Sequence, residues 1–445
     1  MLHRPRSRRS FLQELALGAI VAPWITTGAR ALSPNGKIRH ATFGCSGMAA
    51  SDIDSLASHP SLEIVAACDV SEKSTLAFRK KFPQAKIYAD FRELLEKETD
   101  LDSVNVSTPD HMHAPIGMMA MKRGLHLYGQ KPLAHDIAEV RAMTALAAEK
   151  KCITQMGVQI HSSAEYRTAV QLIQNGTIGK VREVHTWSSK KWGDNGAMPD
   201  RVDPIPEGFS WDLWLGVCAE RPYIGEEWYQ PSNWRKRLDF GTGTFGDMGC
   251  HIYDPVFTAL ALTAPLSVRS EGPAPNAHSW ATDAVIHYLF PGTAFTEGKT
   301  VQVVWYDGDQ RPPADVQALA RPADATEGDK AFAIPNQGSI FLGTDGVMVL
   351  PHIGMPKLFG AATGRPAERV AGDNHYHQFL KTILGDRKNT DASFAYAGPM
   401  TEAVLLGGVA TRFPKKTLEW DAATLAFTNT PEANAFVRRA YRKGY

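Results

Sequence analysis

The feature that most limits the fold of this sequence is the regular alternation of predicted strands and helices between Lys37 and Gly157. Short runs rich in β-branched and apolar residues, which favour strands, are separated by segments with the apolar spacing of helices. The predicted strands cover residues 38–43, 62–68, 85–88, 103–106, 126–128 and 153–156, and the predicted helices cover residues 51–58, 72–81, 114–122 and 137–150. Because parallel strands need crossover connections, which are normally helices, the pattern predicts an α/β fold with a doubly wound parallel sheet that binds a nucleotide.

The composition excludes several classes of protein. The chain has 445 residues, of which 43% are hydrophobic and 9% aromatic, so it is long enough for two or three domains with cores of their own and is not disordered. Its 48 Lys and Arg residues are balanced by 47 Asp and Glu residues, and we therefore expect no nucleic-acid partner. Five cysteines without a C-x-x-C pair argue against a disulfide framework and against a thiolate metal site.

The first 31 residues have the three parts of an export signal. Arginines at positions 4, 6, 8 and 9 precede an apolar stretch at residues 15–25, and residues 29–31 match an A-x-A cleavage site. The sequence SRRSFL at residues 7–12 resembles the twin-arginine signal. The apolar stretch is too short to span a bilayer. We therefore expect a periplasmic protein that is not membrane-bound after cleavage, with 43 basic and 46 acidic residues and a net charge of about −3.

The turn after the first predicted strand has the spacing of a dinucleotide-binding loop, with substitutions. The pattern G-x-G-x-x-G becomes G-x-S-x-x-A, because a serine and Ala49 replace the second and third glycines. In such turns the backbone approaches a pyrophosphate at a helix N-terminus, although an ordinary glycine turn is the alternative. Asp69, at the end of the second strand, favours NAD over NADP because a carboxylate accepts hydrogen bonds from ribose hydroxyls and repels a 2′-phosphate. We expect the cofactor to contact Gly44, Ser46, Gly47, Met48 and Asp69.

Three later segments carry a resemblance to a known family. They are VSTPDHMH at residues 106–113, GQKPL at residues 129–133 and GTGTFGDMGCH at residues 241–251. In this order they resemble the signature segments of the glucose-fructose oxidoreductase, inositol dehydrogenase and MocA (Gfo/Idh/MocA) family. The resemblance implies a Rossmann domain at residues 37–157 and a C-terminal substrate and oligomerisation domain at residues 158–445, built on a large, mostly antiparallel open sheet. Members of the family use NAD(P) to oxidise or reduce a ring alcohol of a sugar, a cyclitol or a sugar derivative.

By this resemblance Lys131 matches the lysine of the family's E-K-P motif, while Asp247 and His251 match its D-x-x-x-H pair. Gln130 stands where glutamate is commonest, which predicts that Lys131 is easier to deprotonate. Hydride transfer from a carbinol requires loss of the hydroxyl proton, a step that suits histidine or lysine, and a cation stabilises the developing alkoxide. We predict His251 as the acid/base, Lys131 as co-catalyst and Asp247 as the orienting carboxylate. The alternatives are a surface lysine, and a helix-cap carboxylate with a core histidine.

Further candidate residues follow the predicted strands. Those expected to contact the cofactor at the carboxyl edge of the sheet are Ser107, Thr108, Pro109, His113, Gln130 and Lys131. Gln159 and His161 follow the last Rossmann strand and are predicted to reach the substrate, together with Asp247 and His251. The H-x-H of His111 and His113 has no carboxylate and histidine cluster to complete a site, so we expect no metal.

Six tryptophans lie within residues 187–234. Trp211 and Trp214 are spaced i, i+3, which favours packing of a long loop. Trp192 and Trp234 each lie beside a cationic residue, and we predict them as a platform for a carbohydrate ring because an aromatic side chain offers an apolar face with one polar edge. Packing alone is the alternative.

Together these features predict an exported NAD(P)-dependent oxidoreductase that acts on a ring hydroxyl of a sugar, glycoside or polyol. Two alternatives remain open. The first is a redox-neutral glycosidase or lyase that recycles a tightly bound NAD, and the second is a non-catalytic sugar-binding protein. The altered glycine turn and Gln130 favour the second, whereas retention of Lys131, Asp247 and His251 opposes it. Because an open antiparallel sheet commonly hides its outer face, we also expect a homo-oligomer.

Overall fold

Six parallel strands form the N-terminal sheet of the computed structural model, which describes residues 36–322 and 334–445. The predicted export signal at residues 1–31 lies outside the described residues. The sheet has the order β3-β2-β1-β4-β5-β6. Strands β2 and β3 are added on one side of β1 and strands β4 to β6 on the other, and β1 and β4 are parallel neighbours. Its strands are β1 (Ile38–Phe43), β2 (Leu62–Cys68), β3 (Lys86–Tyr88), β4 (Ser103–Val106), β5 (His126–Gly129) and β6 (Thr154–Met156). The predicted doubly wound sheet is confirmed.

Five helices connect these strands, as parallel pairing requires. They are α1 (Met48–Ala57), α2 (Glu72–Lys81), α3 (Phe91–Lys97), α4 (His113–Lys122) and α5 (Ile137–Lys150). Helix α5 begins with a capping box, in which the Asp136 side chain accepts from the Glu139 N–H and the Glu139 side chain accepts from the Asp136 N–H. Helix α3, which is capped by Asp90, was not predicted, because seven residues give too few turns for a clear apolar period.

The C-terminal domain contains a nine-stranded sheet with the order β13-β12-β11-β7-β10-β9-β8-β14-β15. Only β7 and β10 pair in parallel among its described strands, so the expectation of a large, mostly antiparallel sheet is confirmed. Its strands are β7 (Val181–Ser188), β8 (Ser267–Ser270), β9 (Val285–Pro291), β10 (Thr300–Asp307), β11 (Gln337–Gly343), β12 (Gly346–Pro351), β13 (Lys357–Phe359), β14 (Thr417–Asp421) and β15 (Ala426–Phe427).

Two helices of the second domain, α8 and α11 as numbered below, join the two sheets into one hydrophobic core. The remaining helices are α6 (Ala164–Gln174), α7 (Trp211–Leu215), α8 (Cys250–Ala259), α9 (Ala314–Ala318), α10 (His375–Leu384) and α11 (Phe394–Ala410). Helix α11 packs on α5 of the Rossmann domain and on α8, and the fully buried Phe394 and Met400 belong to the same apolar cluster as Leu127 of β5. No helix in residues 36–322 or 334–445 is long and apolar enough to cross a membrane.

Candidate active site

The glycine turn after β1 has the shape that a phosphate group needs. Gly44 has φ +94°, and a Cβ atom at this position would lie 2.7 Å from the carbonyl oxygen of Ser107 on the neighbouring strand end. Only glycine fits both conditions. Ser46, Gly47 and Met48 are exposed, and no side chain caps the N-terminus of α1, which begins at Met48. The first N–H groups of α1 are therefore free to bind an anion.

Asp69 directly follows β2, beside this turn. Its Oδ2 atom accepts a hydrogen bond from the Cys45 N–H at 2.9 Å, and its Oδ1 atom accepts one from the Ser71 N–H at 2.9 Å. Burial raises the pKa of Asp69, although these two hydrogen bonds oppose the effect. The carboxylate thus fixes the glycine turn and lies where a dinucleotide's ribose is bound in this fold.

The segment after β4 is held by the side chain of His113. Its Nδ1 atom lies 2.7 Å from the carbonyl oxygen of Pro132, and its Nε2 atom lies 2.8 Å from the carbonyl oxygen of Thr108. Both ring nitrogens are therefore occupied by backbone oxygens, and His113 joins the turn after β4 to the turn after β5 instead of offering a free nitrogen to a ligand. The hydroxyl of Ser107 donates to Asp52 at 2.8 Å and is likewise occupied.

Lys131 and Asp247 form the central ion pair of the site. The Nζ atom of Lys131 donates to Oδ1 of Asp247 at 2.6 Å and to the Asp247 carbonyl oxygen at 2.9 Å. Both side chains are nearly buried, with exposed fractions of 12% and 8%. The turn after β5 and the turn before α8 are 116 residues apart in the sequence, so the fold itself brings the two predicted residues together.

Three further donors surround the Asp247 carboxylate. Its Oδ2 atom accepts from the indole N–H of Trp192 at 2.8 Å and lies 3.5 Å from the Nζ atom of Lys190, while its Oδ1 atom lies 3.4 Å from Nε of Arg235. Burial alone would raise the pKa of Asp247, but the positive charges of Lys131, Arg235 and Lys190 outweigh burial and hold the pKa well below its usual range. Asp247 is therefore ionised at any working pH.

His251 lies on α8, four residues beyond Asp247, but the two side chains are not hydrogen-bonded to each other in the described structure. Residues Phe245–Gly249 form a π-helical turn, so Asp247 lies in this turn and His251 lies in the α-helix that follows it. The Nδ1 atom of His251 is buried without a hydrogen-bond partner in the described residues, and its ring centre lies 5.6 Å from that of His352. Burial, assisted by the charge of Lys131, holds the pKa of His251 well below its usual range, so the ring is neutral near pH 7.

A carboxylate that was not predicted lies behind Gln130. Asp52 of α1 is fully buried, and its Oδ2 atom accepts from Nε2 of Gln130 at 2.8 Å, while its Oδ1 atom accepts from the hydroxyl of Tyr376 at 2.9 Å. The Lys131 N–H donates to Oε1 of Gln130 at 3.1 Å, which links Asp52 to the lysine turn. Glutamine at position 130 therefore does not leave this turn without a nearby negative charge. The predicted substrate residue Gln159 joins the same network through the Tyr376 hydroxyl at 3.1 Å.

His161 is engaged in a second buried network. Its Nδ1 atom lies 2.9 Å from Oδ1 of Asp254 on α8, and the hydroxyls of Tyr166 and Tyr396 donate to the same carboxylate. Burial would lower the pKa of His161, but the charge of Asp254 outweighs it and raises the pKa. These contacts fix α6 and α8 relative to each other, and His161 is placed here instead of among the groups around Lys131.

The two tryptophans predicted as a carbohydrate platform have different environments. Trp192 contacts Asp247 and is only partly buried, so it lies at the site. Trp234 is buried in an aromatic cluster, where the Arg235 guanidinium lies 4.2 Å from its ring centre. The predicted packing role of Trp211 and Trp214 is confirmed, since their rings stack 5.0 Å apart within the same cluster.

The contributions of Asp52, Lys190 and Arg235 to this region were not predicted. Asp52 falls on the apolar face of α1 with Ala49, Ile53 and Leu56, which is the one pattern that could have indicated a buried functional carboxylate. Among the described residues there is no group of three or more His, Cys, Asp or Glu side chains that could hold a metal ion.

Comparison with known families agrees with this geometry. An oxidoreductase family model described as the NAD-binding Rossmann fold of Gfo/Idh/MocA proteins matches residues 38–158, and the model of the family's C-terminal alpha/beta domain matches residues 167–312. The two matches cover more than half of the chain. This chain belongs to the Gfo/Idh/MocA family of oxidoreductases. Its cofactor is accordingly NAD, which the free N-terminus of α1, Gly44 and Asp69 fit.

Curated relatives match part of this Gfo/Idh/MocA protein in sequence. Levoglucosan dehydrogenase of Pseudarthrobacter phenanthrenivorans is 23% identical over 167 residues, which cover 37% of this chain and 34% of that protein. Inositol 2-dehydrogenase of Salmonella typhimurium is 29% identical over 126 residues, which cover 28% of this chain and 37% of that protein. The matches thus span about a third of the length of these relatives.

Solved structures share the fold over almost the whole chain. The WlbA dehydrogenase from Chromobacterium violaceum, in complex with NADH and UDP-GlcNAcA, aligns with a TM-score of 0.62 at 16% identity and covers 91% of this chain and 99% of its own. The aldose-aldose oxidoreductase from Caulobacter crescentus, complexed with glycerol, aligns with a TM-score of 0.54 at 16% identity and covers 86% of this chain and 100% of its own. At such low identity these likenesses describe the fold.

Proposed function

We propose that this chain is an NAD-dependent dehydrogenase for a ring hydroxyl of a sugar, glycoside or polyol. The observation that carries the proposal is the Lys131–Asp247 ion pair, 2.6 Å long and nearly buried, beside the edge of the sheet where the dinucleotide turn lies. Relatives with sugar or cyclitol names, such as levoglucosan dehydrogenase and inositol 2-dehydrogenase, support the substrate class.

Lys131 can hold a substrate oxygen while that oxygen becomes negative. An ammonium group has three N–H donors, and two of those on Lys131 are used by the carboxylate and the carbonyl oxygen of Asp247. The third is left for a substrate hydroxyl, where a preorganised cation stabilises developing alkoxide charge. When bound, NAD supplies the hydride acceptor.

His251 is the group best suited to accept the hydroxyl proton. Because its ring is neutral near pH 7, it has a lone pair that can accept a proton. Asp247 holds the ammonium group of Lys131 in place. Lys190 and Arg235 have further N–H donors besides those that face the same carboxylate, and these donors suit a ring with several hydroxyl groups.

The proposal is tested by replacing Lys131 and, as a control, the surface residue Lys191. The protein is assayed for NADH formation with a panel of sugars, glycosides and polyols, and its bound nucleotide is identified by mass spectrometry after denaturation. Lys131→Met is expected to lower kcat/KM by about 10²- to 10³-fold with little change in NAD affinity. Lys191→Met is the control, since Lys191 forms a surface ion pair with Asp309 and should leave activity near the wild-type value.

The outcomes also separate the alternatives. Glycoside cleavage without accumulation of NADH would replace net oxidation by a redox-neutral lyase that recycles its NAD. If the protein binds sugars without turnover, and Lys131→Met does not change this binding, the protein is a non-catalytic sugar-binding protein.

We further propose that the protein is exported by the twin-arginine pathway to the periplasm. The support is the SRRSFL sequence, the apolar stretch after it and the A-x-A site. Replacing Arg8 and Arg9 by lysine should retain the precursor in the cytoplasm, as measured by cell fractionation. Periplasmic accumulation of the double variant would contradict the proposal.

We propose a homo-oligomer as the working state. The partly exposed His287, Leu289 and Gln302 lie on one face of the β9–β10 pair, a broad sheet surface that a second subunit can cover. Light scattering at micromolar concentration should give at least twice the chain mass, and a monomer would remove the proposal.

A further inference from the structure

A cavity of about 420 Å³ lies between the two domains, apart from the candidate active site. Its wall is formed by the start of α5, the turn at Phe245 and Gly246, the end of α11 and the C-terminal segment around Arg439. Lys131, Asp247 and Trp192 do not line it. This volume is in the range of small-molecule sites.

Arg412 places an uncompensated guanidinium group in this wall. The group lies 5.2 Å from the ring centre of Trp280 and 4.4 Å from that of Phe436, so it is held between two aromatic side chains. Its side chain forms no hydrogen bond and no ion pair with any described residue. Burial lowers the pKa of Arg412, and the more distant charge of Asp239 offsets only part of this effect. A planar group with five N–H donors is therefore left without an acceptor.

Arg439 adds a second unpaired donor group. Its Nη2 atom donates to Sγ of Cys218 at 3.2 Å and to the Asp239 carbonyl oxygen at 3.1 Å, while its Nη1 atom is buried without a partner in the described residues. An unpaired buried donor is costly, so it indicates an acceptor such as water or a bound ligand.

The carboxylates of the wall form no ion pair with these two arginines, although the charges of Glu139 and Asp239 help to raise the pKa of Arg439. Oδ2 of Asp239 pairs with Arg221 at 2.5 Å, and Asp136 accepts from the backbone N–H groups of Glu139 and Arg439 as part of the α5 cap. Apolar side chains complete the wall at Leu238, Val404, Leu405 and Val409. The surface thus combines a positive end with an apolar side.

We propose that this cavity binds a small organic carboxylate, whose oxygens are held by the forked N–H groups of Arg412 and Arg439 and whose body lies against Val404, Leu405 and Val409. Guanidinium groups match carboxylates in a planar, bidentate geometry, which makes this class of anion the best fit. The site is separate from the dehydrogenase site, and the proposal does not depend on the substrate of that site.

Titration calorimetry of the full chain with benzoate, benzamide and inorganic phosphate tests the proposal. Benzoate fits the volume and carries the carboxylate, and benzamide is its uncharged counterpart. We expect benzoate to bind at least tenfold more tightly than benzamide and than phosphate. Arg412→Gln should weaken benzoate binding by about tenfold or more, and Arg412→Lys should recover part of it, because lysine keeps the charge without the fork. Arg123→Gln, at the end of α4 and outside the cavity, should change nothing.

Thermal unfolding of each variant shows whether it is folded, and the comparison of benzoate with benzamide uses only the wild-type protein. Equal binding of the two ligands, or no binding of benzoate, would overturn the proposal. Benzoate binding that survives Arg412→Gln but is lost in Lys190→Met would place the ligand at the active site and would also overturn it. Tighter binding of phosphate would show a site for inorganic anions instead of organic carboxylates.

Discussion

The Asp247 carboxylate faces Lys131, Lys190 and Arg235, which carry three positive charges against its one. At the scale of single residues, this imbalance has two consequences. The carboxylate is a necessary counter-charge for a cluster that would otherwise repel itself, and the surplus positive charge favours a substrate oxygen that becomes negative.

Asp247→Asn should therefore destabilise the protein as well as inactivate it. Removing one partner of a buried ion pair costs about 3–5 kcal/mol, because the remaining charges lose their compensation. Asp309→Asn is the matched control: it removes the partner of Lys191, but Asp309 is 76% exposed, and the effect should stay below about 1 kcal/mol. Urea unfolding of both variants measures the difference, and equal free energies of unfolding would contradict the role of Asp247 as counter-charge.

Two buried carboxylates should give opposite pH dependences of stability. The pKa of Asp247 is lowered, so its contribution is present above about pH 4, the ordinary value for aspartate, and is lost as the pH falls below it. Burial raises the pKa of Asp52 to about 6, against the opposing hydrogen bonds from Gln130, Ser107 and Tyr376. Its contribution is complete below about pH 4 and is lost as the pH rises through 6.

Asp52→Asn should remove the second of these dependences. Between pH 4.5 and pH 7.5 the wild type should lose about 2 kcal/mol of unfolding free energy from this group, at 1.36 kcal/mol per pKa unit and with part of the contribution already lost at pH 4.5, whereas the amide does not titrate. Asp54→Asn, on the exposed face of the same helix, controls for the loss of a charge from α1. Denaturant unfolding at pH 4.5 and 7.5 gives the comparison, and parallel pH profiles for wild type and Asp52→Asn would show that the carboxylate does not titrate there.

At the scale of elements, the turn between β1 and α1 determines whether the dinucleotide can approach the backbone. Gly44→Ala adds a Cβ atom 2.7 Å from the Ser107 carbonyl oxygen at a positive φ, and we expect a loss of more than 1 kcal/mol in stability with at least tenfold weaker NAD binding. Gly176→Ala is the control, since Gly176 also has positive φ but open space around it. Fluorescence titration with NADH measures the cofactor affinity of both variants, and denaturant unfolding measures their stability. Unchanged NADH affinity in Gly44→Ala would contradict the proposed cofactor turn.

The sequence predicts elements well where a single period decides them. Apolar alternation in β1, a β-branched apolar run in β2 and the short run of β4 gave the bounds that the structure shows, whereas the nine-strand order of the second sheet depends on pairings distant in sequence. The same limit applies to the site. Lys131 and Asp247 were identified through motifs. The contact between Lys190 and Asp247, in contrast, depends on the path of the chain just after β7, which no motif indicates. The π-helical turn that contains Asp247 is likewise not revealed by periodicity.

At the scale of the whole molecule, the C-terminal segment joins the two domains. The Val437 carbonyl oxygen accepts from the Ala138 N–H of α5, and the Tyr441 hydroxyl donates to Oε1 of Glu139 at 2.7 Å. On the other side, Arg442 donates to the Gly216 carbonyl oxygen at 2.6 Å, in the loop that carries the aromatic cluster. The last residues therefore connect the Rossmann domain to the domain that presents Trp192 and Arg235.

Deleting residues 438–445 should weaken this connection more than it weakens either domain. The deletion removes the hydrogen bonds of Arg439, Tyr441 and Arg442 to Asp136, Glu139 and Gly216, whereas the Val437–Ala138 bond remains. With about 1 kcal/mol for each of these three lost hydrogen bonds, we expect a decrease of at least about 3 kcal/mol and a melting temperature several degrees lower. Because the two domains share one core but depend on the segment for alignment, calorimetry should show a broadened or divided transition. Deleting only residues 443–445 keeps Arg442 and Tyr441 and should preserve a single transition. If both truncations unfold like the wild type, the shared core around α5 and α11 is sufficient to couple the domains without the C-terminal segment.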